Sequence, residues 1–340
     1  MIKIGVIGYG YWGPNLVRNF YSAPGGTVSM VSDLRPKRCD LVRKHYPGIT
    51  VTTDPGEVLS SPDVDAVVIA TPVATHFDLA MRALRNGKHV LVEKPMTHSA
   101  ETARQLLEEA EKRNLTLMVD HTFIYTGGVR RMKEAIDSGA LGELYYYDSA
   151  RVNLGLFQPD VDVVWDLAVH DLSILDYIID QKPVGVSATG LANLPGHPVN
   201  TAYISLFFSG NFMAHVNVNW LSPIKLRQIM VGGSKKMMLF NELSPDEKLR
   251  LYDKGIDFPD EETAHTMMSL NYRTGDMVAP RIDQIEALSL ESAHFVDCVA
   301  TGRRPETDGR MGLRIVRILE AAGLSLKNRG AHTPLNLDGI

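Results

Sequence analysis

The sequence predicts an α/β protein built in two parts: a doubly wound parallel sheet, then an α+β domain with a large, open and mostly antiparallel sheet. Three observations carry the prediction. A glycine-rich turn joins the apolar run at residues 4–7 to a helical pattern at residues 15–20. Short apolar runs then alternate with helical ones to about residue 122, the pattern of a right-handed crossover sheet. Beyond Glu143, long strand-like runs succeed one another across turns such as Ser209-Gly210-Asn211, as antiparallel strands do. At 340 residues the chain exceeds the roughly 100–200 residues of one domain, so the expected division is 1–122 and 123–340.

The first strand ends at Gly8-Tyr9-Gly10-Tyr11-Trp12-Gly13, a GxGxxG turn set directly before a helix. In that context Gly8 allows the tight turn, Gly10 lets backbone approach a pyrophosphate, and Gly13 lets helix pack on strand. The helix amino terminus attracts the phosphates. A second strand, residues 28–32, leads to Asp33, 20 residues beyond Gly13. A carboxylate there accepts a hydrogen bond from the adenosine ribose and repels a 2′-phosphate, so NAD is expected over NADP. Arg35, Lys37 and Arg38 follow closely and oppose that preference. Next come a strand at residues 49–52, a turn at 54–56, and a strand at 66–70 ending in Thr71-Pro72. His76 opens a helix that Gly87 stops, and it either touches the cofactor, caps the helix or is solvated. Ser99 caps a helix over residues 100–113, and residues 117–119 form the last strand of the series. Open α/β sheets bind ligands at the carboxyl ends of their strands. Tyr11, Trp12, Leu34, Arg35, Thr71, Pro72, His76, Glu93 and Lys94 therefore join the three glycines and Asp33 as expected cofactor contacts.

In the second part a helix is expected at residues 127–138, strands at 144–147, 184–189, 202–208, 211–220 and 226–231, and helices at 285–300 and 309–327. The last helix is expected to pack back on the first domain. Residues 254–283 carry few periodic signals and are expected to form a loop or arm. An open sheet with one apolar face needs cover, so a homodimer or homotetramer through that face is expected.

Composition narrows the class. Hydrophobic content of 44% and charged content of 22% suit a globular protein. A net charge of −5 without a long run of one sign argues against nucleic-acid or anionic-membrane partners. Cys39 and Cys298, the only cysteines, fit neither a disulfide framework nor a zinc spacing, so no metal is expected and a reducing cytoplasm is. Neither a secretory signal nor a membrane span is expected.

Two stretches carry chemistry. Lys88-His89-Val90-Leu91-Val92-Glu93-Lys94-Pro95 is a buried parallel strand ending in a carboxylate, an ammonium and a proline. Pro95 restricts Lys94 to an extended conformation, and a lysine there can neutralise a developing alkoxide or carry a proton; alone, it would be a solvated side chain. In Trp165-Asp166-Leu167-Ala168-Val169-His170-Asp171, Asp166 and His170 stand four residues apart, on one face of a helix. A carboxylate that orients a histidine suits proton transfer with an alcohol, although a histidine on a partly buried helix is more often structural. Asp171 points elsewhere. Tyr125, Arg151 and Asn153 are candidate substrate contacts, with pairing to backbone or solvent as the plainer alternative.

In combination these residues resemble the Gfo/Idh/MocA family of glucose-fructose oxidoreductase and inositol dehydrogenase relatives. The resemblance runs from the glycine turn through Thr71-Pro72-Val73-Ala74-Thr75-His76, Glu93-Lys94-Pro95 and the Asp166/His170 helix to His294-Phe295-Val296-Asp297-Cys298. It implies a Rossmann domain with a second α/β domain, a nicotinamide cofactor, and oxidation or reduction of a secondary hydroxyl on a sugar or cyclitol. It also implies that Lys94, Asp166 and His170 are the catalytic set, with Lys94, Asp166 and His170 touching substrate, and that the bond before Pro95 is cis. Whether Lys94 or His170 moves the proton stays open. Tyr11-Trp12-Gly13-Pro14-Asn15, Arg151-Val152-Asn153-Leu154-Gly155 and Trp165-Asp166-Leu167-Ala168 are similar to a branch associated with nucleotide sugars, which implies 3-dehydrogenation of a UDP-linked N-acetyl sugar or its uronic acid. The chain departs from that branch at Tyr125-Thr126-Gly127-Gly128, where an Asn-Pro pair is expected. The wider family also implies alternatives: an inositol, aminocyclitol or free-sugar dehydrogenase, or an NAD-using hydrolase or lyase without net cofactor turnover.

Overall fold

A computed structural model describes residues 1–155, 161–257, 271–337 and 339–340. The chain divides into two compact units, one of Met1–Tyr125, Ile285–Glu320 and Gly339–Ile340, the other of Thr126–Gln284 and Ala321–Asp338.

The first unit opens with β1 (Ile2–Ile7), α1 (Gly13–Tyr21), β2 (Gly26–Ser32), α2 (Pro36–His45), β3 (Thr50–Thr52) and α3 (Pro55–Ser60). It continues with β4 (Ala66–Ile69), α4 (His76–Arg85), β5 (His89–Glu93), α5 (Ala100–Arg113) and β6 (Leu117–Asp120). The strands lie in the order β3-β2-β1-β4-β5-β6, and every pairing is parallel. Helices cover both faces of such a sheet, so its strands are continuous apolar runs; all of β4 is buried. The turn expected at residues 54–56 is the start of α3: Asp54 accepts the Gly56 N–H at 2.7 Å and Pro55 occupies the first turn. Ser99 caps α5, accepting the Thr102 N–H at 3.2 Å.

The second unit contains α6 (Gly127–Asp137), β7 (Leu144–Leu154), a π-helical turn (Val164–Ala168), α7 (Val169–Ile178), β8 (Gly185–Leu191), β9 (Thr201–Phe207) and β10 (Met213–Asn219). Then follow β11 (Leu221–Gly233), β12 (Met237–Asn241), β13 (Leu249–Asp257), β14 (Asn271–Val278) and the short β15 (Thr333–Pro334). These form one sheet in the order β14-β13-β12-β11-β7-β10-β9-β8-β15, antiparallel except where β7 meets β10. Alternation sorts its faces: Ala202, Ile204 and Leu206 of β9 and Ala214, Val216 and Val218 of β10 are buried, while Tyr203 and Met213 are exposed. The loop expected over residues 254–283 is corrected in part, because residues to 257 and residues 271–278 pair as strands; residues 258–270 lie outside the described residues. Arg273 of β14 reaches Asp253 at 2.9 Å, and the backbone ladder rather than apolar burial holds this mostly exposed strand.

Two later helices complete the described chain, α8 (Ala287–Thr301) and α9 (Gly309–Lys327). In the first unit, Phe295 of α8 meets Phe20 of α1 edge to face, with ring centroids 5.9 Å apart.

Candidate active site and cofactor cavity

In the first unit a cavity of about 720 Å³ opens at the carboxyl ends of the strands. Gly8, Gly10, Tyr11, Trp12, Asp33, Leu34, Arg35, Thr71, Pro72, Glu93 and Lys94 line it, which gathers all the expected cofactor contacts except Gly13 and His76. Gly8 sits at φ +102°, where a Cβ would stand 2.3 Å from the Ala70 carbonyl oxygen; a Cβ on Gly13 would stand 2.2 Å from the Gly8 oxygen. These two glycines are therefore required by the turn itself. Around Gly10 no protein atom comes nearer than 3.6 Å to the same position, so the space is left to whatever occupies the cavity.

Asp33 is 6% exposed and receives the Tyr9 N–H at 2.8 Å, the Arg35 N–H at 2.9 Å, and the Arg35 guanidinium at 2.9 Å on each oxygen. Burial opposes its ionisation, but the Arg35 guanidinium and the two backbone N–H groups outweigh burial and hold the carboxyl below its ordinary value. Size, glycine cradle and carboxylate fit a dinucleotide whose ribose hydroxyls Asp33 would accept.

The Lys94–Pro95 peptide is cis, as the resemblance implies. His76, in contrast, lies behind the cavity wall: it is 1% exposed, and its ring nitrogens face the Pro95 oxygen at 3.0 Å (Nδ1) and the Thr71 oxygen at 2.8 Å (Nε2). It ties the loop after β4 to the loop after β5, and burial pushes its pKa down. Beneath the same wall lie three carboxyl groups. Glu93 and Asp120 are register partners on β5 and β6, and Glu291 reaches Asp120 from α8. Trp12 donates its Nε1–H to Asp120 at 3.0 Å, and Thr122 donates its hydroxyl to the other oxygen.

In the second unit the helix carrying Asp166 and His170 is not uniform. Asp166 lies in the π turn and His170 in α7, so the spacing of 3.6 residues per turn that puts them on one face does not hold across the junction. Asp162 starts the turn by accepting the N–H groups of Val164 and Trp165 at 3.0 Å each. Trp220, 1% exposed, donates its indole N–H to Asp166 at 3.2 Å. This tryptophan is a supporting residue that no local pattern announces. On the far side of α7, Asp171 is buried and pairs with Arg151 at 2.7 Å; Arg151 also meets Glu242 at 3.5 Å, and Glu242 meets Arg227 at 2.6 Å. Burial pushes the Asp171 carboxyl up despite the adjacent guanidinium, which itself stays charged.

Two expected substrate contacts lie buried in the structure. Arg151 is 3% exposed because its β7 position faces α7 and its charge is consumed by Asp171 and Glu242. Tyr125 is 1% exposed, with its hydroxyl 3.4 Å from Thr307 and its ring packed against His294. Asn153, Asp166 and His170 are half-buried.

Residues 2–121 match the family model described as oxidoreductase family, NAD-binding Rossmann fold, and residues 129–239 match the GFO/IDH/MocA C-terminal domain. The chain belongs to the Gfo/Idh/MocA oxidoreductase family. Its cofactor is NAD, and its relatives act on sugar or inositol hydroxyls. It is 29% identical to the UDP-N-acetylglucosamine 3-dehydrogenase of Acidithiobacillus ferrooxidans over 93% of this chain and 94% of that one. It is 27% identical to the NAD-dependent scyllo-inositol 2-dehydrogenase of Bacillus subtilis over 90% of this chain and 86% of that one. A solved structure of the Acidithiobacillus enzyme superposes with a TM-score of 0.78, at 23% identity over 96% of this chain and 98% of that chain, a likeness of fold. Among the described residues no helix is long and apolar enough to cross a membrane.

Proposed function

We propose that this family member oxidises the C3 hydroxyl of a UDP-linked N-acetyl sugar, or reduces the corresponding ketone, in the cytoplasm. The observation that carries the substrate class is the similarity to the UDP-N-acetylglucosamine 3-dehydrogenase, which extends over 94% of that enzyme's length. The bound nicotinamide supplies the two-electron acceptor or donor. The chain supplies the rest. His170 takes the hydroxyl proton, Asp166 orients the imidazole or the sugar, and Lys94 polarises the oxygen; reduction reverses these roles, and Lys94 is the alternative proton carrier. Gly8, Gly10 and Gly13 seat the pyrophosphate, Asp33 accepts the ribose hydroxyls, and Asn153 is a substrate contact.

A second reading, an inositol dehydrogenase, draws on the similarity to the scyllo-inositol enzyme. Initial rates with NAD against UDP-N-acetylglucosamine, its uronic acid, scyllo-inositol and myo-inositol separate the two. Reduced nicotinamide should accumulate with a nucleotide sugar whose product has lost two hydrogens. A higher kcat/KM on either inositol would overturn the nucleotide-sugar assignment, and product formation without reduced nicotinamide would indicate the hydrolase or lyase class.

The exposed face of the nine-stranded sheet presents Tyr203, Met213, Tyr146 and Met230 on neighbouring strands. We propose that a second copy covers it, giving a homodimer or homotetramer. Light scattering on the purified chain tests this: a monomer at micromolar concentration would exclude it.

A further inference from the structure

The three carboxyls under the cofactor cavity pose a counting problem. Glu291 is 1% exposed, and neither of its carboxyl oxygens makes a hydrogen bond of good geometry, the Thr122 hydroxyl beside it being directed to Asp120; Glu93 Oε1 is buried and likewise unbonded. Glu93 Oε2 accepts the Lys94 N–H at 3.1 Å. Asp120 is supplied on both sides, by the Trp12 indole and the Thr122 hydroxyl. Three ionised carboxylates cannot share such a site, since acceptors face acceptors with like charge in low dielectric. Placing a proton on Glu93 and one on Glu291 turns the facing acceptors into donor–acceptor pairs, because each acid then donates to Asp120. Burial and the neighbouring Asp120 raise both glutamates well above their ordinary values, while the donors around Asp120 outweigh its burial and keep it the anion. Lys94, at the end of β5, is the cation nearest in sequence to the group, and it favours ionisation of Glu93 without prevailing over burial.

We propose that Asp120 and Glu291 are positioning residues that hold Glu93 as an uncharged acid on the wall of the cofactor cavity, with a proton stored on each glutamate. Glu93 then adds no negative charge to the wall of the cavity, and the single negative charge of the three lies one layer deeper, on Asp120. Trp12 couples that anion to the cavity, since its ring lines the cavity and its N–H holds Asp120. The inference rests on the nicotinamide reading only through the place of Glu93 on that wall.

Infrared difference spectra of the unliganded full chain at neutral pH test it without cofactor or substrate, so the outcome is independent of the sugar assay. Wild type should show the carbonyl stretch of two protonated buried carboxyl groups, one lost in Glu93→Gln and one in Glu291→Gln. Glutamine replaces a protonated glutamate closely, so both variants should fold. Asp120→Asn removes the shared anion, puts an N–H donor in place of one acceptor oxygen, and should lower NADH affinity, read by fluorescence titration, by about tenfold, where a role in stability alone would leave it unchanged. Absence of a protonated band assignable to Glu93 would overturn the proposal, as would a folded Asp120→Asn protein with wild-type NADH affinity. If Asp120→Asn does not fold, the two glutamine spectra decide.

Discussion

Each unit buries a charged network next in sequence to a proposed catalytic residue, and the two networks neutralise themselves differently. In the first unit Glu93 precedes Lys94 and joins Asp120 and Glu291, three groups of one sign that need protons. In the second Asp171 follows His170 and joins Arg151, Glu242 and Arg227, two charges of each sign that cancel without any. Buried charge is tolerated only when neutralised, by transfer of a proton or by a counter-ion. The first solution makes local charge depend on pH, and the second makes it depend on keeping every partner.

The largest effects test whether the anchored neighbours do the chemistry. His170→Asn and Lys94→Ala should each lower kcat on the true substrate by about 10²–10⁴-fold, the usual range for one proton-transfer group. Steady-state kinetics of the two across pH would also distinguish their roles: in the oxidation direction, the variant whose acidic activity limb disappears has lost the proton acceptor. Near-normal turnover in His170→Asn would leave the second network anchoring no catalyst.

Next in size is the ion-paired network. Arg151→Met should destabilise the protein by about 3–5 kcal/mol in chemical denaturation, since it strands Asp171 as an uncompensated buried charge. Adding Asp171→Leu should restore much of that loss, because the pair as a whole contributes little against a packed apolar replacement. If the double variant is no better than Arg151→Met alone, the network is required for more than charge balance.

The acid network is expected to make stability depend on pH. Glu291 titrates at its ordinary value when unfolded and well above it when folded. Between those values the folded chain binds the extra proton, so stability is full below the unfolded value and falls as pH rises towards the folded one. The slope is about 1.4 kcal/mol per pH unit for one group. Glu291→Gln should therefore flatten the decline of the melting temperature on raising pH from about 5 to 8. An unchanged profile would mean that Glu291 is ionised in the folded chain.

What the sequence makes legible is local. The glycine turn, Asp33, and the helices over residues 100–113 and 309–327 are written in short-range spacing and caps, and the structure places them there. Strand β7 extends well past the expected residues 144–147 because Asp148, Ser149, Arg151 and Asn153 interrupt the apolar pattern, and Arg151 is polar for the sake of Asp171 rather than of solvent. Strand β14 has almost no buried residue to announce it. The π turn leaves no signature, since one residue more per turn is invisible in so short an apolar pattern. Trp220 with Asp166, and Glu291 with Asp120, are pairings of distant segments that only the folded chain brings about. The burial of Tyr125 and Arg151, candidate substrate contacts by residue type, is not written in the sequence, because residue type does not encode burial.

The smallest effect belongs to an exposed counterpart of the buried pairs. Arg35 is more than half exposed, yet it grips Asp33, the carboxylate that should choose between NAD and NADP. Ionised Asp33 repels a 2′-phosphate, and the Arg35 guanidinium offsets that charge while offering the phosphate a bidentate partner. Removing it should leave Asp33 able to accept ribose hydroxyls and deprive a 2′-phosphate of its bidentate partner there, with Lys37 and Arg38 still close in sequence. Exposed pairs contribute about 0–1 kcal/mol, so Arg35→Ala should shift the ratio of NAD to NADP affinities towards NAD by no more than about fivefold. Titration with both cofactors measures the ratio. A shift towards NADP would mean that Arg35 serves the NAD ribose, and that Asp33 alone does not set the choice.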